Sequence, residues 1–329
     1  IRYFICESVG VLDASPRPKY GTYAPIATPS GVCAFGRDME SSYQVWSNFM
    51  GYPGDFDYRE FYRDIGYEAP MEYIAPYINQ NGIRIDTGIK YYRITGKTEN
   101  KDYYHRDWAM NKVKMHAGHF SASRDKQIEY ASSHMDTQPM IVCPYDAELF
   151  GHWWFEGPDF INEFIRKSAE KNHVYKLISP SDYLDKNPVV QCSSPSPSTW
   201  GENSDFSVWL NPSNQWIYKD LHRREKMMID IAKKYKKPGR LKKEALNQLA
   251  RELMLAESSD WPFIIKNNTT VDYAVRRIKS HIGRFDKLYD EIINNNIDRK
   301  FLDDIKSMDN IFKYMDYRVY TKEFFSEDK

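Results

Sequence analysis

The chain of 329 residues carries 46 basic and 46 acidic side chains, and this balance favours neither nucleic acid nor an anionic membrane as a partner. Its mean hydropathy is −0.70, and no apolar run is long enough for a transmembrane helix, so we expect a cytoplasmic chain without a membrane segment. Aromatic residues make up 15% of the chain, and their flat faces stack well on sugar rings.

The N-terminal part alternates predicted strands and helices, which is typical of a parallel α/β core. A loop at 13–29 contains four prolines, which argue against a helix or a central strand and are typical of a stiff lid. Because residue 1 already lies in a predicted strand, we expect a processed chain or the C-terminal part of a longer protein. The predicted strands lie at 1–6, 31–38, within 83–94, at 139–142 and at 174–178, and the predicted helices at 40–49, 58–65, 108–134 and 159–171.

A Ser- and Pro-rich stretch at 193–198 predicts a domain boundary. Beyond it, apolar residues recur with helical spacing, so the pattern predicts only helices. We therefore predict an α/β domain over 1–192 and an all-α domain over 193–329. The helices of the second domain are predicted at 214–235, 241–257, 269–293 and 301–312.

The stretch 143–158 gives the strongest chemical signal, because it places two acids among aromatic residues directly after a predicted buried strand. Asp146 and Glu148 are two residues apart at a strand end, so we expect both side chains on one face. An apolar surround raises a carboxyl pKa, so one acid suits proton donation and the other suits a nucleophile or base in glycosyl chemistry. Alternatively, both acids only form salt bridges with arginine of the 13–29 lid loop, and the residues alone leave both interpretations open.

A metal site is the other chemistry that these residues suggest. The candidate ligands are His116, His119, Asp146 and His152. No His-x-His or His-Glu-x-x-His spacing supports them, so we predict a hydrogen-bonding or core role for His152 and neither a metal nor another cofactor. The four cysteines are also widely spaced, without a Cys-x-x-Cys pair, and we expect free thiols. They are Cys6, Cys33, Cys143 and Cys192.

Several motifs resemble those of glycoside hydrolase family 57. Residues 144–154, Pro-Tyr-Asp-Ala-Glu-Leu-Phe-Gly-His-Trp-Trp, are similar to the fourth motif of that family. Residues 198–202, Ser-Thr-Trp-Gly-Glu, resemble its fifth motif. The stretches that resemble the branching-enzyme subgroup in particular are 14–18, 41–46, 51–55 and 258–263.

The resemblance implies both a fold and a reaction. The implied fold is the C-terminal half of a distorted (β/α)7 TIM-like barrel, followed by a helical domain. The implied reaction is that of a retaining 1,4-alpha-glucan branching enzyme, which cleaves an α-1,4 link, forms a glucosyl-enzyme and passes the chain to a 6-hydroxyl. Its substrate would be an α-glucan such as amylose or glycogen. An α-amylase or 4-α-glucanotransferase of the same family is the alternative enzyme.

The resemblance also implies roles for individual residues. Asp146 takes the place of the general acid/base, and Glu148 becomes a supporting residue. Tryptophans of the barrel and the helical domain would line the glucan groove, and one of two loop tyrosines would exclude water on the acceptor side. The predicted substrate contacts are Trp46, Trp200, Trp209, Tyr20, Tyr23, His152 and Trp153.

The chain departs from the family pattern in two ways. It contains neither the Trp-x-Pro-Glu-type motif of the nucleophile nor the His-x-His-x-Pro first motif. Residues 7–9, Glu-Ser-Val, also replace an Asp-Thr-His-like stretch. We therefore expect the nucleophile upstream and the chain alone to be inactive. A third hypothesis follows, in which the chain is a non-catalytic glucan-binding subunit of a split enzyme and the N-terminal part is a separate chain.

Overall fold

The computed structural model describes residues 1–47, 50–78 and 82–321, and the fold of these residues is a helix-rich α/β architecture. The chain divides into two compact units, Ile1–Trp200 and Gly201–Lys329. The boundary predicted after residue 192 therefore differs from the observed division, and Trp200 lies in the first unit. Phe49, the last residue of one predicted helix, lies outside the described residues.

The sheet of the first unit is mixed, so the prediction of a parallel sheet is wrong. β1 runs parallel to β3, but β2 is antiparallel to β3 and parallel to β4. The reason is the connection from β2 to β3, a tight turn in which the Gly31 amide donates to the Thr28 carbonyl at 2.8 Å. Such a short connection can only join antiparallel strands. In the order β1–β3–β2–β4, the sheet contains β1 (Tyr3–Cys6), β2 (Ile26–Ala27), β3 (Cys33–Gly36) and β4 (Gln191–Cys192).

Strand β2 lies inside the stretch predicted to be a lid loop. Its residue Ile26 is 1% exposed and pairs with Ala34 of β3. Pro25 and Pro29 flank the strand without belonging to it, so neither proline is required to donate a ladder hydrogen bond. The prediction that the prolines exclude a central strand is therefore wrong for a strand of two residues.

Helices cover the sheet-bearing unit, and the longest, α5, packs on α6. The buried side chains Ala109, Val113, Ala117 and Phe120 recur along one face of α5. Phe120 meets Phe164 of α6 with ring centroids 4.9 Å apart. The helices are α1 (Ser8–Leu12), α2 (Met39–Trp46), α3 (Ile65–Glu68), α4 (Met71–Ile74), α5 (Arg106–Ser132), α6 (Gly157–Ser168) and α7 (Pro180–Lys186).

Residues 58–65 do not form the predicted helix. The Ile94 amide donates to the Tyr58 carbonyl at 2.8 Å, and the Glu60 amide donates to the Tyr92 carbonyl at 2.9 Å. These backbone groups therefore bond across to a distant segment, where a helix would have used them locally. The strand predicted within 83–94 is reduced to two isolated bridges near its end, at Tyr92 and Arg93.

The predicted strands at 139–142 and 174–178 are not strands of the sheet. Residues 139–142 are nevertheless a core segment, since Met140 and Val142 are buried. The Asp38 amide donates to the Val142 carbonyl at 2.8 Å and the Met140 amide donates to the Tyr23 carbonyl at 2.8 Å, but no continuous ladder forms. Their apolar character reports burial, which an irregular core segment also satisfies.

The described part of the second unit is helical, with its core between α9 and α11. Leu246, Leu249 and Leu253 of α9 are fully buried, as are Ile278 and Leu288 of α11. None of the described helices combines the length and the apolar character needed to cross a membrane. The helices are α8 (Trp216–Lys234), α9 (Arg240–Ala256), α10 (Asp260–Asn267), α11 (Val271–Ile293) and α12 (Arg299–Met308).

Candidate functional site

Asp146 lies where the chain leaves the buried segment 139–142 and enters a short 3-10 turn, Ala147–Leu149. Asp146 precedes this turn with an extended backbone, φ −68° and ψ 134°. Leu149 is 2% exposed and anchors the turn in the core, whereas the side chains of Asp146 and Glu148 are exposed. The two acids are thus presented to solvent by a turn whose other end is buried.

The backbone around this turn is held at several points. The Tyr145 hydroxyl donates to the Ser41 carbonyl at 2.9 Å. The Trp154 amide donates to the Leu149 carbonyl, and the Gly151 amide donates to the Trp154 carbonyl, both at 2.8 Å. Gly151 has φ 92°, a conformation that a side chain would strain. Trp154 is buried, so the turn that carries Asp146 is fixed to the core.

The environment of Asp146 favours its protonated form. Although Asp146 is exposed, nearby protein atoms displace part of the water around its carboxyl group, and this desolvation is the main cause that raises its pKa. The negative charge of Glu148 raises the pKa further. The positive charge of Arg37 opposes this shift. In the part of the chain that the structure describes, the side chains of Asp146 and Glu148 make no ion pair. A raised pKa and a free carboxyl group are the properties that a proton donor requires.

Arg37 contacts Glu7 and Trp200, and its charge also acts on Asp146. Its guanidinium group lies 2.6 Å from the buried carboxylate of Glu7 and 4.9 Å from the centre of the Trp200 ring. Arg37 follows β3 and Glu7 follows β1, and these parallel strands end at the same edge of the sheet. Our prediction of the site omitted both residues, although Glu7 directly follows one predicted strand and Arg37 lies at the end of another, which was a usable signal.

The aromatic residues predicted to bind substrate lie in several places. Trp46, at the end of α2, is 39% exposed, and Trp200 is 46% exposed with one face on Arg37. Trp153 is half-buried, next to His152, which is exposed. These residues all belong to the first unit.

Trp209 and His152 have local partners of their own. Trp209 belongs to the second unit, where its carbonyl accepts a hydrogen bond from the Tyr218 hydroxyl at 2.5 Å. The ring of His152 lies 5.2 Å from that of Phe61 in an edge-on contact. His152 therefore contacts an aromatic residue, and the exposed part of its ring remains accessible.

The two loop tyrosines are hydrogen-bonded to residues other than Asp146 and Glu148. The Tyr20 hydroxyl donates to the carboxylate of Asp136, and the Tyr23 hydroxyl is hydrogen-bonded to Gln127. The assignment of either tyrosine to the acceptor side stays a prediction.

The basic residues of the 13–29 loop pair with acids other than Asp146 and Glu148. Lys19 contacts Asp136 at 2.8 Å, and Arg17 contacts Asp13 at 3.2 Å. The interpretation that Asp146 and Glu148 serve as salt-bridge partners of this loop is therefore wrong for these two bases.

The histidines considered as metal ligands are occupied separately. The His116 ring is hydrogen-bonded to the Tyr58 hydroxyl at 2.8 Å, and the His119 ring is hydrogen-bonded to the Tyr52 hydroxyl at 2.7 Å. The group of described residues with a spacing suited to a metal is in the second unit, and consists of Glu252, His281 and Asp309. Its members are already satisfied, because His281 contacts Glu252 at 2.7 Å and Arg284 pairs with Asp309.

Comparison with known proteins connects this chain to enzymes of α-glucan metabolism. Residues 220–320 match the family described as 1,4-alpha-glucan branching enzyme, C-terminal. The chain is 31% identical to a 1,4-alpha-glucan branching enzyme of Thermococcus kodakarensis, over 95% of this chain and 46% of that protein. It is 28% identical to a probable 1,4-alpha-glucan branching enzyme of Mycobacterium tuberculosis, over 76% of this chain and 45% of that protein. The chain thus spans about half the length of these relatives.

Solved structures give a consistent result. The alpha-amylase AmyC of Thermotoga maritima is similar with a TM-score of 0.87 and 45% identity, over 98% of this chain and 61% of that one. A GH57 branching enzyme of Thermococcus kodakaraensis, solved with glucose, has a TM-score of 0.84 and 30% identity, over 98% of this chain and 58% of that one. A GH57-type branching enzyme of Pyrococcus horikoshii has a TM-score of 0.82 and 29% identity, over 97% of this chain and 56% of that one. The resemblance predicted from the motifs is confirmed: this chain is related to the branching enzymes of glycoside hydrolase family 57 and corresponds to their C-terminal part.

Proposed function

We propose that this chain is the C-terminal part of a 1,4-alpha-glucan branching enzyme in which Asp146 is the general acid/base. The observation that carries the proposal is the state of Asp146. Its carboxyl group is exposed on a fixed turn, its pKa is raised by partial desolvation and by Glu148, and it makes no ion pair among the described residues. Because this carboxyl group is exposed and unpaired among the described residues, a substrate can reach it.

The two half-reactions use Asp146 in opposite protonation states. In the first, protonated Asp146 donates to the oxygen of the α-1,4 link while a nucleophile attacks the sugar carbon, forming a glucosyl-enzyme. In the second, ionised Asp146 takes the proton from a 6-hydroxyl of an acceptor chain, which displaces the enzyme and forms the α-1,6 link. The nucleophile belongs to the N-terminal part of the enzyme, and this part together with the present chain is called the complete enzyme below.

Sugar contacts surround the acid in this proposal. The exposed faces of Trp46 and Trp200 stack on glucosyl units, and Trp153 and His152 contact the sugars next to the cleaved link. Trp209, which belongs to the second unit, is also proposed to contact glucan. Tyr20 or Tyr23 keeps water from the glucosyl-enzyme. The domain over 1–192 forms the C-terminal half of a distorted (β/α)7 barrel, and the part of loop 13–29 that precedes strand β2 serves as its lid. The reaction serves cytoplasmic glycogen synthesis.

Hydrolysis is the second candidate function, and one observation favours it. AmyC, the relative with 45% identity, is described as an alpha-amylase. The same acid and nucleophile would then transfer the glucosyl group to water, whereas a 4-α-glucanotransferase would transfer it to a 4-hydroxyl. The third candidate, a glucan-binding subunit without catalysis, requires binding without any new or broken link.

The experiment that separates these functions is product analysis. The complete enzyme is incubated with amylose, the product is treated with a debranching enzyme, and the released chains are counted as new α-1,6 links. We expect new α-1,6 links without a matching rise in reducing ends. Shorter linear products with new reducing ends would contradict branching in favour of hydrolysis. Redistributed linear chains would support 4-α-glucan transfer, and unchanged amylose would support a binding subunit.

A further inference from the structure

One segment of the first unit, residues 55–105, exposes an unusual number of aromatic rings. Five tyrosines in it are more than half exposed, while most of the backbone lies outside regular helices and strands. Exposed rings concentrated on one segment are typical of an interaction surface. These tyrosines are Tyr62, Tyr67, Tyr73, Tyr77 and Tyr103.

Three tyrosines of this segment, Tyr91, Tyr92 and Tyr103, form an ordered cluster, which we call the tyrosine platform. Tyr92 and Tyr103 are partners in an antiparallel bridge, and their rings stack with centroids 5.8 Å apart and an interplanar angle of 4°. The Tyr91 ring lies 4.6 Å from that of Tyr92 and 6.1 Å from that of Tyr103. The backbone fixes this arrangement, because the Tyr104 amide donates to the Tyr91 carbonyl at 2.9 Å. Tyr103, which is 67% exposed, therefore presents a preorganised flat face to solvent.

The charged groups at the edge of the platform neutralise one another. Arg63, whose guanidinium lies 5.2 Å from the Tyr92 ring, pairs with Glu68. Arg93 contacts Asp102 at 2.6 Å. A patch with paired charges attracts neither a polyanion nor a strongly charged peptide. The flat tyrosine rings and their hydroxyl groups match an uncharged ligand that has apolar faces and many hydroxyls.

We propose that the tyrosine platform is a second contact surface for α-glucan chains. The segment that carries it contacts residues 152–156, which follow the turn after Asp146. The Arg59 amide donates to the buried carboxylate of Glu156 at 3.1 Å, and the Arg59 guanidinium lies 3.6 Å from the Phe155 ring. The Phe61 ring also contacts His152 at 5.2 Å. A long glucan held at the platform is thereby kept near the proposed active site, and the inference rests on the proposed function for the identity of the ligand.

The test is retention of the 329-residue chain in native gels that contain glycogen or amylose. Tyr103→Ala removes the exposed face, and we expect about three- to tenfold weaker retention, the effect of one stacked aromatic contact. Tyr103→Phe keeps the ring and is expected to be retained like the unchanged chain. Tyr130→Ala, which removes a 63% exposed tyrosine from α5, is the matched control and is expected to have no effect. Circular dichroism establishes that each variant is folded.

The outcomes separate this inference from the proposed function. If the complete enzyme branches amylose but Tyr103→Ala is retained as strongly as the unchanged chain, the second surface is overturned and the proposed function stands. Equal weakening by Tyr103→Ala and Tyr130→Ala also overturns it, because the effect would then be general. A chain that glycogen and amylose fail to retain at all overturns the platform, and the product analysis then decides on the proposed function independently. Should only a protein partner bind the platform, the glucan assignment is wrong.

Discussion

The two units place their carboxylates in opposite situations. In the second unit, Glu252, His281 and Asp309 are buried together, and His281 contacts Glu252 at 2.7 Å. In the first unit, Asp146 and Glu148 are exposed, and their side chains form no ion pair among the described residues. A buried charge is tolerated only when it is matched, whereas an exposed one can remain free. The buried network therefore holds helices together, whereas the exposed pair has no such structural role and includes the acid that we propose for catalysis.

The largest effect is expected from Glu252→Ala in the buried network. The substitution leaves the Gln248 amide and the His281 ring without their partner, each at 2.7 Å, and buries unmatched groups. We expect the free energy of unfolding of the second unit to fall by about 3–5 kcal/mol. Urea-dependent hydrogen exchange of amides in α9 and α11 measures this.

The matched control for this prediction is Asp303→Ala. Asp303 is exposed and pairs with Arg299 one helical turn away, so its loss is expected to cost less than about 1 kcal/mol. Equal losses for Glu252→Ala and Asp303→Ala would contradict the structural role assigned to the buried network.

The next largest effect is expected at Asp64, the buried carboxylate in the platform-bearing segment. Burial disfavours its charge, but hydrogen bonds from Thr87, Gly66 and Gly88 outweigh burial and lower the pKa of Asp64 to about 2. Since this lies below the pKa of an unfolded aspartate, the stabilisation is present above about pH 4 and is lost as the pH falls towards 2. Its full size is about 2 kcal/mol.

Asp64→Ala is expected to remove this stabilisation at pH 7, by about 2 kcal/mol, and to weaken its pH dependence. Hydrogen exchange of the Thr87 and Gly88 amides, compared between pH 7 and pH 3, measures both effects. Asp86→Ala is a nearby acidic control at an exposed position. If exchange in the unchanged protein is no faster at pH 3 once intrinsic rates are corrected, the role given to Asp64 is wrong.

The smallest effect is expected at Arg37, which links the exposed acids to Trp200. Because its charge lowers the pKa of Asp146, Arg37→Gln raises that pKa further and moves the alkaline limb of the pH–activity profile of the complete enzyme to higher pH. Arg37→Lys keeps the charge but loses the planar contact with Trp200, so the limb stays in place while KM rises about three- to tenfold. Identical pH profiles for Arg37→Gln and the unchanged enzyme would contradict the electrostatic link.

Helical periodicity allowed the regular half of the fold to be predicted from sequence. The helices α5, α8, α9 and α11 begin and end within a few residues of their predicted bounds, since mainly apolar residues recur along the buried face of each. The short elements were less predictable, because long-range bonds decide them. Residues 58–65 look amphipathic, yet their backbone bonds to 92–94. Helix α10 was not predicted, and it accommodates Pro262 because the first turn of a helix tolerates proline.

In the candidate site, too, a residue in a local motif was predictable and residues joined by a long-range contact were not. Asp146 was found from its motif, because local sequence determines an acid on a turn next to a buried strand-like segment. Glu7 and Arg37 were missed as site residues, because their contact joins the ends of two strands that are 30 residues apart in the chain. The role of Tyr20 or Tyr23 on the acceptor side stays a prediction, and the Tyr20 hydroxyl bonds to Asp136, a partner that no local pattern indicates.

The most direct test of the central claim compares activity with stability in Asp146→Asn. Asn has nearly the same size as Asp but cannot donate or accept the catalytic proton. We therefore predict that branching activity of the complete enzyme falls about 100- to 10,000-fold. Since Asp146 is exposed and makes no ion pair among the described residues, the free energy of unfolding should change by less than about 0.5 kcal/mol. Full activity in Asp146→Asn, or a loss of activity that follows a comparable loss of stability, would contradict the claim that this carboxylate is kept free for catalysis.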